Sequence, residues 1–146
     1  MKIVVDTNIV FSAILNTDSR IGELLLSRPA NIRFYTCNFL NVELESHLNK
    51  LVKLSRKPEY KVSEIIRLVY KQINFISEEQ IPHSDFNFAY DLLHDIDIKD
   101  IPFLALSHYL NGLLWTGDKK LKNGLIKKNF DRVINTQGFI NLLKNI

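Results

Sequence analysis

Lys2-Ile3-Val4-Val5-Asp6-Thr7-Asn8-Ile9-Val10 stands at the start of the chain, and its reading decides the fold. Residues 2–5 are a short β-branched run that stops at an acid, the pattern of a buried strand. Residues 7–15 then set Ile9, Val10, Ala13 and Ile14 on one helical face. Working outward, Asp18 or Ser19 caps a helix through Leu26, with Pro29 as its stop. Residues 32–36 form a second strand, and a long helix is expected from Asn38 to about Ser55, striped by Leu40, Leu44, Leu48 and Leu51. Pro58 breaks it. A further helix begins at Ser63-Glu64, with Ile65, Ile66, Leu68, Val69 and Ile73 inward, and Phe75-Ile76 is a short strand. Phe88, Leu92 and Leu93 mark a helix after Pro82. Residues 101–110 make another, with Pro102 tolerated in its first turn. After Gly112 come a strand at 113–116, a helix at 119–127, a short strand at 132–134 and a closing helix at 137–144.

Short apolar strands alternating with helices specify an α/β chain, a three-layer α/β/α sandwich around a mostly parallel sheet of four to five strands. Right-handed crossovers place helices on both faces. With 146 residues, no repeat and no Pro/Gly/Ser linker, residues 1–146 read as a single domain. No apolar run reaches the roughly 18 residues of a membrane span. Asp6 interrupts what would be the apolar region of an export signal. The lone Cys37 forms neither an internal disulfide nor a zinc site and reads as a buried hydrophobe, so a cytoplasmic location is expected. The net charge of +3 says little by itself about nucleic acid.

A sheet of this class binds ligands beyond the carboxyl ends of its strands, so the acids were followed there. Asp6 directly follows the first strand, and Asp118 follows the strand at 113–116 by two residues. Glu43 lies near the start of the helix after the second strand, Asp100 just ahead of the helix at 101–110, and Asp97 three residues earlier. Five carboxylates from four segments thus point to one sheet edge. Like charges so gathered raise one another's pKa values, and a hard divalent cation, Mg²⁺ or Mn²⁺, relieves the repulsion. The matching chemistry is metal-assisted phosphodiester hydrolysis. Thr7, Asn8 and Thr116 stand close enough in sequence to orient waters or carboxylates. Taken singly, each acid has a plainer reading: Asp6 and Asp100 as helix caps, Asp118 as a turn residue, Glu43 and Glu45 as solvated helix positions. Asp85, Asp91 and Asp95 read as surface charges.

Four stretches together carry a family resemblance: Val4-Val5-Asp6-Thr7-Asn8, Asn41-Val42-Glu43-Leu44-Glu45, Asp97-Ile98-Lys99-Asp100-Ile101-Pro102, and Leu114-Trp115-Thr116-Gly117-Asp118-Lys119. They resemble the PIN domain, over residues 3 to about 136. The resemblance implies a Mg²⁺- or Mn²⁺-dependent ribonuclease. In it Asp6, Glu43, Asp100 and Asp118 would be catalytic and metal-binding, and Asp97 would be an additional metal ligand found in some subgroups. Glu45 competes with Glu43 for the helical position. Many members similar to this chain are toxins of type II toxin–antitoxin pairs, like the virulence-associated protein C group, with a small antitoxin partner and commonly a homodimer. The stretch from Arg56 to Ser84 is longer here than in the smallest of these toxins.

Basic residues must flank an acidic site that receives a polyanion. Lys119, Lys120 and Lys122 follow Asp118 and are the expected RNA contacts, extended by Lys127, Lys128 and Arg132. Lys50, Lys53, Arg56 and Lys57 form a second group. Tyr35, Phe39, Tyr60 and Trp115 are either stacking platforms for bases or core. An aspartyl-phosphate phosphatase would need an acid where Asn8 stands, a phosphoacceptor receiver domain would need paired acids at the first strand end, and no Gly-rich phosphate loop supports a nucleotide cofactor. The remaining alternative is a catalytically weak module that binds RNA or protein.

Overall fold

In the computed structural model, which describes residues 1–145, five parallel strands form one sheet: β1 (Lys2–Val5), β2 (Arg33–Cys37), β3 (Ile73–Ile76), β4 (Leu113–Trp115) and β5 (Val133–Ile134), in the order β3-β2-β1-β4-β5. The chain runs outward from β1 to β3 on one side, then crosses back to β4 on the other side of β1. Connections therefore leave β1 and β4 in opposite directions, which opens a crevice at their carboxyl ends. The register sets Val5 beside Trp115, so Asp6 and Thr116 emerge next to each other.

Helices fill both faces of the sheet, nine of them among the described residues. Five lie between the strands on the β3 side: α1 (Thr7–Leu15), α2 (Arg20–Ser27), α3 (Phe39–Ser46), α4 (Leu48–Ser55) and α5 (Glu59–Tyr70). The others are α6 (His83–Leu93), α7 (Ile101–Leu110), α8 (Lys119–Lys127) and α9 (Thr136–Lys144). Ser19, not Asp18, caps α2 by accepting from the Gly22 N–H at 3.1 Å. The core takes in the strand residues Ile3, Val4, Val5 and Leu114 with the helical residues Leu25, Leu40, Leu51 and Leu104, all fully buried. Trp115 stacks on Phe139 of α9 (centroids 4.8 Å, planes 23° apart), and Phe34 of β2 closes against both. That settles Trp115 as core. No helix of the described residues is long and apolar enough to cross a membrane.

The long helix expected from Asn38 to Ser55 is two helices, broken at His47 (φ −110°, ψ 11°). The Ser46 hydroxyl donates to the Glu43 carbonyl at 2.7 Å, the acceptor that the His47 N–H would take in a continuing α-helix. The His47 N–H turns instead to Leu44 O at 3.1 Å, and the ladder ends. Pro58 starts α5 directly, its extended conformation leading into Glu59 rather than into a helix at Ser63. Ile73, expected on that helix, belongs to β3. Cys37 is buried, and burial pushes its thiol up to about 12, which keeps it unreactive.

Candidate active site

The structure brings all five expected carboxylates to one cleft of about 210 Å³ at the carboxyl edge of β1 and β4. Its walls carry Asp6, Glu43, Asp97, Asp100 and Asp118, together with Thr7 and Asn8. Each acid arrives by a different local device. Asp6 ends β1 and caps α1, accepting the Ile9 N–H at 3.0 Å. Asp118 caps α8, accepting from Leu121 N–H at 3.1 Å. Both therefore satisfy the plainer cap reading and still line the cleft. Asp97 caps a short 3-10 turn, Ile98–Asp100, through the Lys99 N–H at 2.9 Å. Asp100 precedes α7 but makes no capping bond, and its backbone is already in the helical region. Its carboxylate is left free for the cleft.

Glu43 accepts from the Thr7 hydroxyl at 2.5 Å, a bond that ties α3 to the first turn of α1. Glu45 faces elsewhere, into a groove between α3 and α5 beside Arg67 and Tyr70. Glu43 is thus the helical acid of the cleft. The Thr116 hydroxyl bonds the Asp6 carboxylate and accepts the Asp118 N–H at 3.1 Å, so one buried hydroxyl links the two strand-end acids. The Thr36 hydroxyl donates to Val5 O at 2.9 Å, bracing the end of β1 from the other neighbour.

Electrostatics at this edge are unfavourable for bare carboxylates. Asp6 is 2% exposed, and burial drives its carboxyl from 3.8 to about 6, against the hydrogen bonds from Thr116 and Ile9. Asp100 is raised further, to about 8, first by burial and then by the charges of Asp6, Asp97, Asp118 and Glu43. Among the described residues no three ligating side chains stand close enough to form a ready-made cage. That openness does not fit structural zinc, which takes four tight N or S ligands. The oxygen donors of the five carboxylates do fit a hard divalent ion, which keeps several waters and takes only one or two carboxylates.

Two cleft residues were not anticipated, His47 and Lys99. His47 stands four residues after Glu43, one helical turn on, and its ring meets Phe11 edge-on at 6.4 Å. The i, i+4 spacing was the available signal. Lys99, between Asp97 and Asp100, is the one cation in the lining. Asp85 is a clear correction: expected on the surface, it is buried and bonded to His108 Nδ1 at 2.6 Å. His108 also stacks on Phe88 at 3.8 Å. This pair clamps α6 to α7 and so steadies the 3-10 turn between them. Asp85 lies three residues before Phe88, on the apolar face, a spacing that marks the position but not the His108 partner that makes an acid stable there.

Of the expected RNA-contacting lysines, Lys119 and Lys122 border a second cavity beside Asp118, whereas Lys120 is exposed outside both. Lys128 is withdrawn from the basic group: its ammonium pairs with Asp95 and donates to Leu92 O at 2.7 Å.

A family model described as the PIN domain matches residues 4–137. A search of the curated proteins found no match. Among solved structures, the chain is similar to VapBC2 from Rickettsia felis, crystallised bound to a DNA fragment from its promoter. The TM-score is 0.67 at 15% identity, covering 92% of this chain and 97% of that one. It is also similar to PAE2754 from Pyrobaculum aerophilum, with a TM-score of 0.69 at 12% identity, covering 100% of this chain and 91% of that one. At such identities the likeness is one of fold. The family match spans nearly the whole chain and takes in every acid of the cleft, and on that ground the chain belongs to the PIN domain family of nucleases.

Proposed function

We propose that the protein is a Mg²⁺- or Mn²⁺-dependent endoribonuclease whose reaction takes place in the acidic cleft. The observation that carries the reading is the convergence of five carboxylates on one cleft at the β1/β4 switch point, with Asp6 and Asp100 held well above their ordinary range by burial and mutual repulsion. Asp6, Glu43, Asp100 and Asp118 are the catalytic and metal-holding set, with Asp97 as an outer ligand. A bound divalent ion supplies Lewis-acid polarisation of the phosphate and an activated water. The chain's own groups do the positioning. The Thr7 hydroxyl fixes the Glu43 carboxylate, Thr116 fixes Asp6 and Asp118 together, and Asn8 lines the cleft beside them. Backbone N–H groups of Ile9 and Leu121 hold one oxygen of Asp6 and of Asp118, leaving the other oxygen of each for the cleft. Lys119 and Lys122 offset the acidic charge toward an incoming polyanion.

The biological setting proposed is the toxin of a type II toxin–antitoxin pair, acting in the cytoplasm as a homodimer and held inactive by a small antitoxin. The VapBC2 complex, similar in fold, supports a partner protein of this kind. Metal-dependent cleavage of single-stranded RNA by the purified protein, lost in Asp6→Asn, tests the reading. Cleavage that persists in Asp6→Asn, or in EDTA, would overturn it.

A further inference from the structure

Beside the acidic cleft, and sharing only Asp118 with it, lies a second cavity of about 230 Å³ at the amino end of α8. Its polar walls come from Thr116, Asp118, Lys119, Lys122, Asn123 and Asn135. Lys122 is half-buried, yet it has no carboxylate partner among the described residues. Its stem is covered while its ammonium group, in no ion pair, stays available to an anion.

Three of the acceptors here are already engaged. Asn135 caps α9, its Oδ1 accepting the Gly138 N–H at 2.8 Å, so its amide NH₂ is what remains for a ligand. Asp118 accepts from Leu121 N–H, and Thr116 accepts from Asp118 N–H. Beside the Asp118 carboxylate that it shares with the acidic cleft, the cavity therefore presents two lysine side chains and amide donors, groups suited to a phosphate oxygen.

Gly117 lines this second cavity and directly precedes Asp118, the residue the two cavities share. Its φ is not positive, and an added Cβ would meet nothing within 4 Å. Neither backbone conformation nor packing demands glycine there.

We infer that the cavity formed by Lys122, Lys119 and Asn135 is a second phosphate subsite, which holds the phosphodiester neighbouring the scissile one on a single RNA strand. This rests on the nuclease reading of the adjacent cleft. It makes the substrate an oligonucleotide with at least two consecutive phosphodiesters, and it separates Lys122 from Lys120, which carries the same charge outside the cavity.

The experiment uses the full chain and an eight-nucleotide single-stranded RNA, measured by fluorescence anisotropy without cleavage and by cleavage with Mn²⁺. Lys122→Met is expected to weaken binding about ten-fold through KM with kcat little changed, since it removes a contact made equally in ground and transition states. Lys120→Met, the same charge change, moves binding less than about two-fold. Asn135→Asp keeps the cap acceptor for Gly138 and places a negative charge in the cavity, so it weakens binding at least as much as Lys122→Met while unfolding at the wild-type temperature.

Replacing one linkage at a time by a neutral methylphosphonate then locates the contact. The linkage adjacent to the scissile bond should weaken wild-type binding about ten-fold and have no added effect on Lys122→Met, the coupling expected of two groups in contact. Equal losses in Lys122→Met and Lys120→Met, or a linkage effect that adds fully to Lys122→Met, would overturn the subsite while wild-type cleavage leaves the nuclease reading intact. Coupled binding with no cleavage under any divalent ion would overturn the nuclease reading and keep the subsite.

Discussion

Replacing Asp6 by Asn should make the metal-free protein more stable at neutral pH and abolish its response to metal. Asn is close to isosteric and retains an oxygen to accept the Ile9 N–H, so the α1 cap survives. What changes is the charge. Holding Asp6 at about 6 instead of 3.8 means that its ionisation costs the folded state about 3 kcal/mol at 1.36 kcal/mol per pH unit. A carboxyl raised in the folded state leaves stability intact below its unfolded value, and stability is lost as pH rises through the folded value. The penalty is therefore nearly absent at pH 3, below the unfolded value, and nearly complete by pH 7. Thermal unfolding in EDTA should show the Asn variant gaining on wild type by about 3 kcal/mol between those two pH values, or about 9 °C for a chain of this size. Added Mn²⁺ at 100 times its dissociation constant should then raise wild type by about 2.7 kcal/mol and leave Asp6→Asn nearly unmoved. An advantage that does not grow with pH would refute the burial argument, and an undiminished Mn²⁺ shift in the variant would refute Asp6 as a ligand.

Asp100→Asn should act in the same direction, stabilising the metal-free protein above pH 7 while removing cleavage; a loss of stability at pH 8 in EDTA would count against the free carboxylate seen ahead of α7. Glu45→Gln should leave cleavage at the wild-type rate while Glu43→Gln lowers it by at least about a hundred-fold, the range for losing one electrostatic contributor, because only Glu43 reaches the cleft. Asp85→Ala should cost about 0.5–1.5 kcal/mol in urea unfolding, the net worth of a hydrogen bond to the part-exposed His108 ring. Trp115→Ala should cost about 3–5 kcal/mol by the same assay, since the ring is fully buried against Phe34 and Phe139.

Local patterning was enough to place most of the chain. The β-branched run at 2–5 with an acid behind it, the strand at 113–116 followed by Gly-Asp, and the leucine stripe after Asn38 each reflect short-range steric and hydrophobic preferences, which act within a few residues. From strand ends and the order of elements, Asp6, Glu43, Asp100 and Asp118 could be assigned to one edge. Other features were decided by tertiary geometry. Glu43 and Glu45 are equally acidic and two residues apart, but α3 can turn only one of them toward Thr7. Asp6 has the same cap chemistry in any helix; its perturbed carboxyl comes from β4 lying against β1, which buries it and sets Asp118 beside it. The break at His47 arises because Ser46 competes for the Glu43 carbonyl, a choice between two similar local bonds that helical periodicity does not register. Asp85 needed α7 to supply His108 before an acid on an apolar face became stable. The sequence by itself thus determined the elements, their order and the identity of the acids, because those depend on near neighbours along the chain. The tertiary structure alone decided which carboxylates share a cleft, which lysine lies half-buried beside it, and how far each charge departs from its ordinary behaviour, because burial and Coulomb energy depend on distance through space.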